Sequence, residues 1–178
     1  ENVETLNALK PKTIVTTCPH CFHTLGNEYP QFGGNYTVRH HTQFIEELIK
    51  DRKLAVNGSG GAFTYHDPCY VGRHNGVFEE PRRLIAAAGA KLLETDRNRS
   101  NSFCCGAGGG QFWKEEEKGK ERVSTERFRQ LKQTGAKAVA TGCPFCLKML
   151  SDEAAKEPET SPEVLDIAEI VAGGLKRG

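Results

Sequence analysis

The sequence predicts an α/β fold in which Rossmann-like parallel sheets are flanked by helices. Two observations predict it. Short segments rich in β-branched and apolar residues alternate along the chain with longer amphipathic segments, and turn residues separate the two kinds. Strands that alternate with helices are typical of a parallel sheet, because a crossover helix connects each strand to the next. We therefore expect parallel sheets covered by helices.

Each predicted element has its own signal in the sequence. Short runs of strand-forming residues bounded by turn signals predict strands at Thr13–Thr17, Thr37–His40, Ala62–His66, Lys91–Thr95 and Ala138–Thr141. Amphipathic runs predict helices at Thr42–Arg52, Glu80–Ala88, Val123–Gln133 and Pro162–Ala172. Pro81 suits a first helical turn, and Gly89 and Gly135 suit helix ends. The polar segment Ser151–Pro162 is predicted to be a surface loop.

The seven cysteines fall into two groups. Five form one series, in the order Cys69, the adjacent pair Cys104 and Cys105, then Cys143 and Cys146. The other two form a second C-x-x-C, Cys18 and Cys21. Thiolates are gathered for a thiophilic metal, a disulfide or redox chemistry. Two adjacent cysteines do not easily chelate one tetrahedral ion, but they readily reach two irons of one cluster, so the series predicts an iron–sulfur cluster.

The first C-x-x-C belongs to an internal repeat. Residues 13–25 align with residues 138–150 at an offset of 125 without a gap, and each copy has an apolar strand, Cys-Pro-x-Cys and a helix start. A duplication predicts a further Cys-Cys pair about twenty residues before Glu1. We therefore expect a fragment that lacks most of its first repeat, with a natural processed end as the alternative. The glycine-rich segment 57–61 divides the predicted domains, residues 1–58 and 59–178.

The order C…C-C-G…C-P-x-C resembles the cysteine-rich CCG domain found in the B-type and D-type subunits of heterodisulfide reductase and in related iron–sulfur oxidoreductases. The stretches that carry the resemblance are Thr17–Phe22, His66–Gly76, Asn101–Gly110 and Thr141–Cys146. The resemblance implies two CCG repeats, the first incomplete, and a [4Fe–4S] cluster, non-cubane in that family. Its ligands here would be Cys69, Cys104, Cys105, Cys143 and Cys146. Cys18 and Cys21 match the corresponding pair of the first motif and are candidate cofactor-binding residues.

The resemblance also implies a function. Proteins of this kind are iron–sulfur subunits that transfer electrons from a flavin partner to a disulfide or to a quinone-linked acceptor. The expected partners are therefore a flavoprotein or ferredoxin-type redox protein and an upstream iron–sulfur domain. No catalytic residue is assigned.

Two other interpretations of the cysteines remain open. A C-x-x-C pair is also typical of a zinc site, which would make the chain a zinc-stabilised structural or interaction domain without redox activity. Cys18-Pro19-His20-Cys21 is also a pattern of thiol–disulfide exchange enzymes. The alignment of this pair with Cys143 and Cys146 instead favours a shared ligand role.

Several neighbouring residues are expected to support the site. Asp67 is predicted to be a helix N-cap followed by Pro68. His66 either supports the fold or donates a hydrogen bond to a cluster sulfur. The charged run Lys114–Arg129 is predicted to be a solvated helical face, and Trp113 is expected to pack in the core.

Net charge, the length of apolar runs and the number of cysteines limit the expected classes of partner and the expected cellular location. The net charge of +1 gives no electrostatic reason to expect nucleic acid or a membrane surface as a partner. No apolar run approaches the roughly 20 residues of a membrane helix, and no signal peptide is visible. An odd number of cysteines argues against a closed disulfide framework, and reduced thiols or clusters suit the cytoplasm. If the protein is located at the inner face of the membrane, we expect missing segments or partner proteins to hold it there.

Overall fold

Two parallel sheets form the frame of the protein. The computed structural model describes residues 1–58, 60–114 and 119–175. The smaller sheet pairs β1 (Ile14–Thr16) with β2 (Val38–His40). The larger sheet has the order β4-β3-β5-β6 with all neighbours parallel. Its strands are β3 (Ala62–Tyr65), β4 (Lys91–Leu92), β5 (Ala138–Thr141) and β6 (Glu163–Asp166). The predicted α/β class with parallel sheets is confirmed.

Helices connect and cover these strands. They are α1 (Asn2–Leu9), α2 (Pro19–His23), α3 (His41–Lys50), α4 (Glu79–Ala87), α5 (Val123–Lys132), α6 (Pro144–Ala154) and α7 (Ile167–Gly173). A π-helical turn at Thr24–Glu28 and a 3-10 turn at Tyr29–Phe32 follow α2. None of the helices in the described ranges is long and apolar enough to cross a lipid bilayer.

The larger sheet is buried on both faces. Ala138 and Ala140 of β5 belong to a core cluster with residues of α4 and α7. Val139, which lies between them, belongs to a second cluster with residues of α5 and α6. Alternate residues of a strand point to opposite faces, so β5 is a central strand that supports a helical layer on each side.

The predicted segment Pro162–Ala172 is not one helix. Residues 163–166 form β6, and α7 begins only at Ile167. The cause is tertiary: β5 would otherwise have an open edge, and Val164 and Leu165 pair with Val139 and Ala140 along it. The predicted loop Ser151–Pro162 is also shorter than expected, because α6 continues to Ala154.

Two parts of the chain repeat one order of elements. β1-α2-β2-α3 and β5-α6-β6-α7 each contain a strand, a helix, a parallel strand and a second helix. His40 is the N-cap of α3 and donates its backbone N–H to Gln43, and Asp166 is the N-cap of α7 and donates in the same way to Glu169. The two N-cap residues, His40 and Asp166, are 126 positions apart in sequence. The C-x-x-C segments of the two parts are 125 positions apart.

The expected domain boundary adjoins Ser59, which lies outside the described residues. The parts of the chain before and after this boundary contact each other. α3 packs against α4 and α7, and Val56 forms an isolated antiparallel bridge with Leu175. The division into residues 1–58 and 59–178 stays a prediction.

Candidate metal centre

The cysteines follow strands at the carboxyl ends of the sheets. Cys69 comes shortly after β3, and Cys143 comes shortly after the neighbouring β5. Carboxyl ends of parallel strands meet at one edge, which is where open α/β sheets form their binding sites. Cys143 is also the N-cap of α6, with Pro144 in the first helical position. Cys18 occupies the same position before α2 and Pro19.

One cavity of about 470 Å³ collects every cysteine of the chain. All seven are free thiols that line it: Cys18, Cys21, Cys69, Cys104, Cys105, Cys143 and Cys146. The structure therefore brings the five cysteines of the series together. It also brings Cys18 and Cys21 to the same cavity, an arrangement that the sequence analysis did not predict.

The seven cysteines differ in exposure, and the three most buried ones all belong to the series of five. Cys105, Cys143 and Cys146 are 5%, 2% and 3% exposed, whereas Cys21 is exposed and Cys18 is half-buried. Cys69 and Cys104 are also half-buried. Among the described residues, no Asp, Glu, Lys or Arg side chain lines the cavity. A thiophilic metal centre suits such a lining, since the sulfurs are the only groups there that offer strong anionic ligands.

Hydrogen bonds among the thiols set their acidity. The Sγ atoms of Cys146 and Cys105 are 3.2 Å apart. Hydrogen bonds from Cys104 and Cys146 lower the pKa of Cys105, and the same hydrogen bonds raise the pKa of Cys104 and of Cys146. These hydrogen bonds therefore favour negative charge at Cys105 over negative charge at Cys104 or Cys146. A bound cation would release the remaining protons.

His66 lies beside Cys105 and Cys146. One of its ring nitrogens and the Sγ atoms of these two cysteines all lie within 4.8 Å of one another. The imidazole is 1% exposed, and Arg127 Nε donates to its Nδ1 at 3.0 Å. Burial is the main reason that the pKa of His66 is lowered. Because Arg127 donates to Nδ1, that nitrogen carries no proton.

Asp67 joins two of the cysteine loops. Arg82 donates to both of its carboxylate oxygens, and the backbone N–H of Arg99 donates to Oδ2 at 2.8 Å. Ser102 Oγ donates to the Asp67 carbonyl at 3.1 Å. The prediction that Asp67 caps a helix is wrong, because its carboxylate binds Arg82 and the next helix begins only at Glu79. It instead holds the loop that carries Cys69 against the loop that leads to Cys104.

Gly106 shapes the adjacent-cysteine loop. Its φ of +90° lies in the left-handed region, and a Cβ at this position would come within 3.1 Å of the backbone N of Ser124. Its own N–H donates to Cys104 Sγ at 3.3 Å. Glycine is therefore required both for the backbone conformation and for the close approach to α5.

Trp113 and Arg127 contradict two sequence expectations. Trp113 is 73% exposed and lies at the cavity, with its ring edge-on to Phe145 at 5.6 Å, so the expectation of core packing is wrong. Residues 115–118 of the charged run lie outside the described residues. Within its described part Arg127 is fully buried, so a wholly solvated helical face is also wrong. The burial of Arg127 follows from contacts with residues distant in sequence, such as His66, and no local sequence signal indicates them.

Comparison with known proteins agrees with this geometry. The sequence profile of the cysteine-rich domain family CCG matches residues 1–26 and 63–151, which include all seven cysteines. The chain is 41% identical over 179 residues to the EtfAB:quinone oxidoreductase of Syntrophomonas wolfei, covering 96% of this chain and 25% of the relative. It is 39% identical over 175 residues to the probable iron-sulfur-binding oxidoreductase FadF of Bacillus subtilis, covering 97% and 25%.

A third relative comes from Methanosarcina acetivorans. It is a subunit of the dihydromethanophenazine:CoB–CoM heterodisulfide reductase of that organism, and it is 35% identical over 179 residues, covering 98% of this chain and 43% of the relative. The chain thus spans between 25% and 43% of the length of these curated relatives.

Proposed function

The chain belongs to the CCG cysteine-rich domain family, and we propose that it is part of the iron–sulfur subunit of an oxidoreductase. Cys69, Cys104, Cys105, Cys143 and Cys146 are the proposed ligands of a [4Fe–4S] cluster. The observation that carries the proposal is the convergence of these five free thiols, from three separate loops, on one cavity without charged side chains among its described lining residues.

The donor set fits an iron–sulfur cluster better than a single ion. One tetrahedral ion takes four ligands, whereas five thiols of the series meet here and two of them are adjacent in sequence. Five ligands with an adjacent pair are the reason to propose the non-cubane form. When bound, such a cluster accepts and releases one electron at a time.

The protein supplies positive polarity and exclusion of water around the sulfurs. Cys143 and Cys146 lie at the N-terminus of α6, an eleven-residue helix whose dipole favours negative charge there. Gly106 donates its backbone N–H to Cys104. Burial of Cys105, Cys143 and Cys146 keeps solvent away from the centre. The helix dipole and the Gly106 N–H favour a reduced, more negative state, whereas burial disfavours added negative charge and opposes them.

The names of the relatives suggest the direction of electron flow. One is an EtfAB:quinone oxidoreductase and another a heterodisulfide reductase subunit. We therefore propose a flavoprotein, or a ferredoxin-type protein, as the electron donor and a disulfide or a quinone-linked compound as the acceptor. Free thiols throughout the chain favour the reducing cytoplasm as its location.

The repeated order of elements supports a pair of CCG repeats with the first one incomplete. Cys18 and Cys21 begin α2 as Cys143 and Cys146 begin α6, after strands that occupy corresponding places. An upstream iron–sulfur domain would supply the remaining ligands of a first centre. Cys18 and Cys21 are then cofactor-binding residues of that centre.

The test is anaerobic reconstitution of the 178-residue chain with iron and sulfide, followed by metal analysis and EPR spectroscopy. We expect a brown protein with about four irons and four acid-labile sulfides per chain, the composition of a [4Fe–4S] cluster. A colourless protein that takes up one zinc and no iron would instead establish the zinc-stabilised domain without redox activity.

A further inference from the structure

His66 has one ring nitrogen with a hydrogen-bond partner and one without, on a ring that lies beside the sulfurs. Nδ1 accepts the hydrogen bond from Arg127 Nε at 3.0 Å. Nε2 is buried and has no hydrogen-bond partner among the described residues. Cys105 Sγ and Cys146 Sγ are the ligand atoms that lie with the imidazole inside one 4.8 Å group. A buried polar atom without a hydrogen-bond partner, on a ring beside two sulfurs, requires an explanation.

The contact with Arg127 determines where the proton of His66 is. A guanidinium has only donors, so Nδ1 must present its lone pair to Arg127. In a neutral imidazole the other nitrogen then carries the proton. Nε2 is therefore an N–H donor and has no free lone pair for a metal. His66 differs in this from a histidine ligand, although its distance to the two cysteines resembles that of a ligand.

Arg127 is itself held in one orientation. Its side chain is fully buried, and Nη1 donates to the Arg97 carbonyl at 3.0 Å and to Gln130 Oε1 at 3.2 Å. Burial lowers the pKa of Arg127 to about 10, so the guanidinium remains charged at neutral pH. With both the orientation and the charge fixed, Nε has a constant donor direction towards His66.

We propose that His66 donates a hydrogen bond from Nε2 to sulfur at the metal centre and is not a ligand, and that Arg127 holds His66 in the required tautomer. The inference rests on the proposed function for the identity of the centre. His66 and Arg127 are positioning residues, because they act on the sulfurs that bind the metal. Their effect is on the electron affinity of the centre and not on its assembly.

A hydrogen bond to sulfur stabilises the reduced state, which is the more negative one. Loss of a hydrogen bond to a charged acceptor has a free energy that corresponds to about a tenfold change in an equilibrium constant. Removal of the His66 donor should therefore shift the ratio of reduced to oxidised centre about tenfold towards the oxidised form. For a one-electron couple this is a decrease of about 59 mV in midpoint potential.

The tautomer is measurable without any metal. Ring ¹⁵N chemical shifts of the reduced, metal-free protein, with His66 assigned by comparison with His66→Gln, should show a neutral imidazole protonated at Nε2. In Arg127→Met the shifts of His66 should change towards a mixture of tautomers. Protonation at Nδ1 in the unsubstituted chain would overturn the proposal, and an unchanged tautomer in Arg127→Met would remove Arg127 from it.

The second measurement uses the reconstituted protein. His66→Leu should keep the iron content and the EPR line shape but shift the reduced-to-oxidised ratio about tenfold, and His66→Gln, which retains an N–H donor, should restore part of the shift. His74→Leu is the matched control, because His74 is exposed and stacks on Tyr70. Loss of iron in both His66 variants would make His66 a ligand, and an unchanged ratio would exclude the hydrogen bond. If the unsubstituted chain takes up no iron, the proposed function fails while the tautomer result still stands.

Discussion

Arg82 and Asp67 form a buried, two-pronged salt bridge behind the cysteine cavity. Nη1 lies 2.7 Å from Oδ1 and Nη2 lies 2.9 Å from Oδ2, and the two side chains are 6% and 2% exposed. Burial disfavours the charged form of Arg82, but hydrogen bonds to Asp67 and Glu94 outweigh it and raise the pKa of Arg82. Arg82 therefore stays charged at every physiological pH, and its two hydrogen bonds to Asp67 fix the loop before Cys69.

Asp67→Asn should destabilise the protein markedly. Among the described residues it leaves the buried Arg82 with only the partly exposed Glu94 as an ionic partner, and breaking a buried pair from one side lowers the free energy of unfolding by about 3 kcal/mol. Denaturant unfolding of the metal-free chain measures this. Glu47→Gln, which breaks the exposed pair with Arg39, is the control and should change stability by less than about 1 kcal/mol. Equal effects of the two substitutions would contradict a special role for Asp67.

The adjacent cysteines should be indispensable for the proposed cluster, and the first C-x-x-C should not be. Cys105→Ser replaces a buried soft ligand with a hydroxyl, so we expect loss of most of the iron or conversion of the EPR signal. Cys18→Ser is the matched control, because Cys18 lines the same cavity but belongs to the other repeat. Retention of iron and an unchanged spectrum in both Cys104→Ser and Cys105→Ser would show that the ligand assignment is wrong.

Gly106→Ala should disturb the loop that carries the adjacent cysteines. The added Cβ would meet the backbone N of Ser124 at 3.1 Å, and the residue would keep a strained φ near +90°. We expect a loss of about 1–3 kcal/mol in the free energy of unfolding and a lower iron content. Gly108→Ala is the control, since nothing lies within 4 Å of the position that its Cβ would take and its φ is not in the left-handed region. Similar losses in the two variants would disprove the steric explanation.

Alkylation should distinguish the two C-x-x-C pairs. In the reconstituted protein Cys21, which is exposed, should react with iodoacetamide before Cys143 and Cys146, which are almost fully buried. Partial desolvation of the thiol and the neighbouring Cys18 raise the pKa of Cys21 above its usual 9.0, so thiolate is a minor form at neutral pH. Its rate should therefore increase about tenfold per pH unit from about pH 7 to pH 8.5. Mass spectrometry of the peptides provides the readout, and faster labelling of Cys146 would contradict a protected centre.

The sequence predicted the strands that precede the cysteines better than the last part of the fold. β1 and β5 have strong β-branched patterns, and both were placed correctly to within a residue at each end. β6 was missed because Val164, Leu165 and Ile167 also fit a helical pattern, and a four-residue strand is too short to resolve the ambiguity. Asp166 and Glu169 form a capping-box pattern that could have marked the true helix start.

The residues that surround His66 could not be predicted from local sequence patterns. Arg127 lies in a charged run, and a charged residue on a helix is usually solvated. It is buried here because its partners come from other parts of the fold, among them His66, 61 positions away, and the Arg97 carbonyl, 30 positions away. The cysteine spacing indicated which residues meet, but only the folded chain shows what surrounds them.

The pairing of β3 with β5 also determines when the cavity can exist. Phe63 lies opposite Ala138, so the two central strands of the larger sheet join residues 75 positions apart. Contacts of such long range form slowly, because a long loop must close before they contribute any stability. During synthesis Cys69, Cys104 and Cys105 leave the ribosome well before Cys143 and Cys146. The nascent chain therefore carries dispersed thiols for a time, and delivery of a metal or cluster to the complete set of five can only follow translation of the start of α6, which contains Cys146.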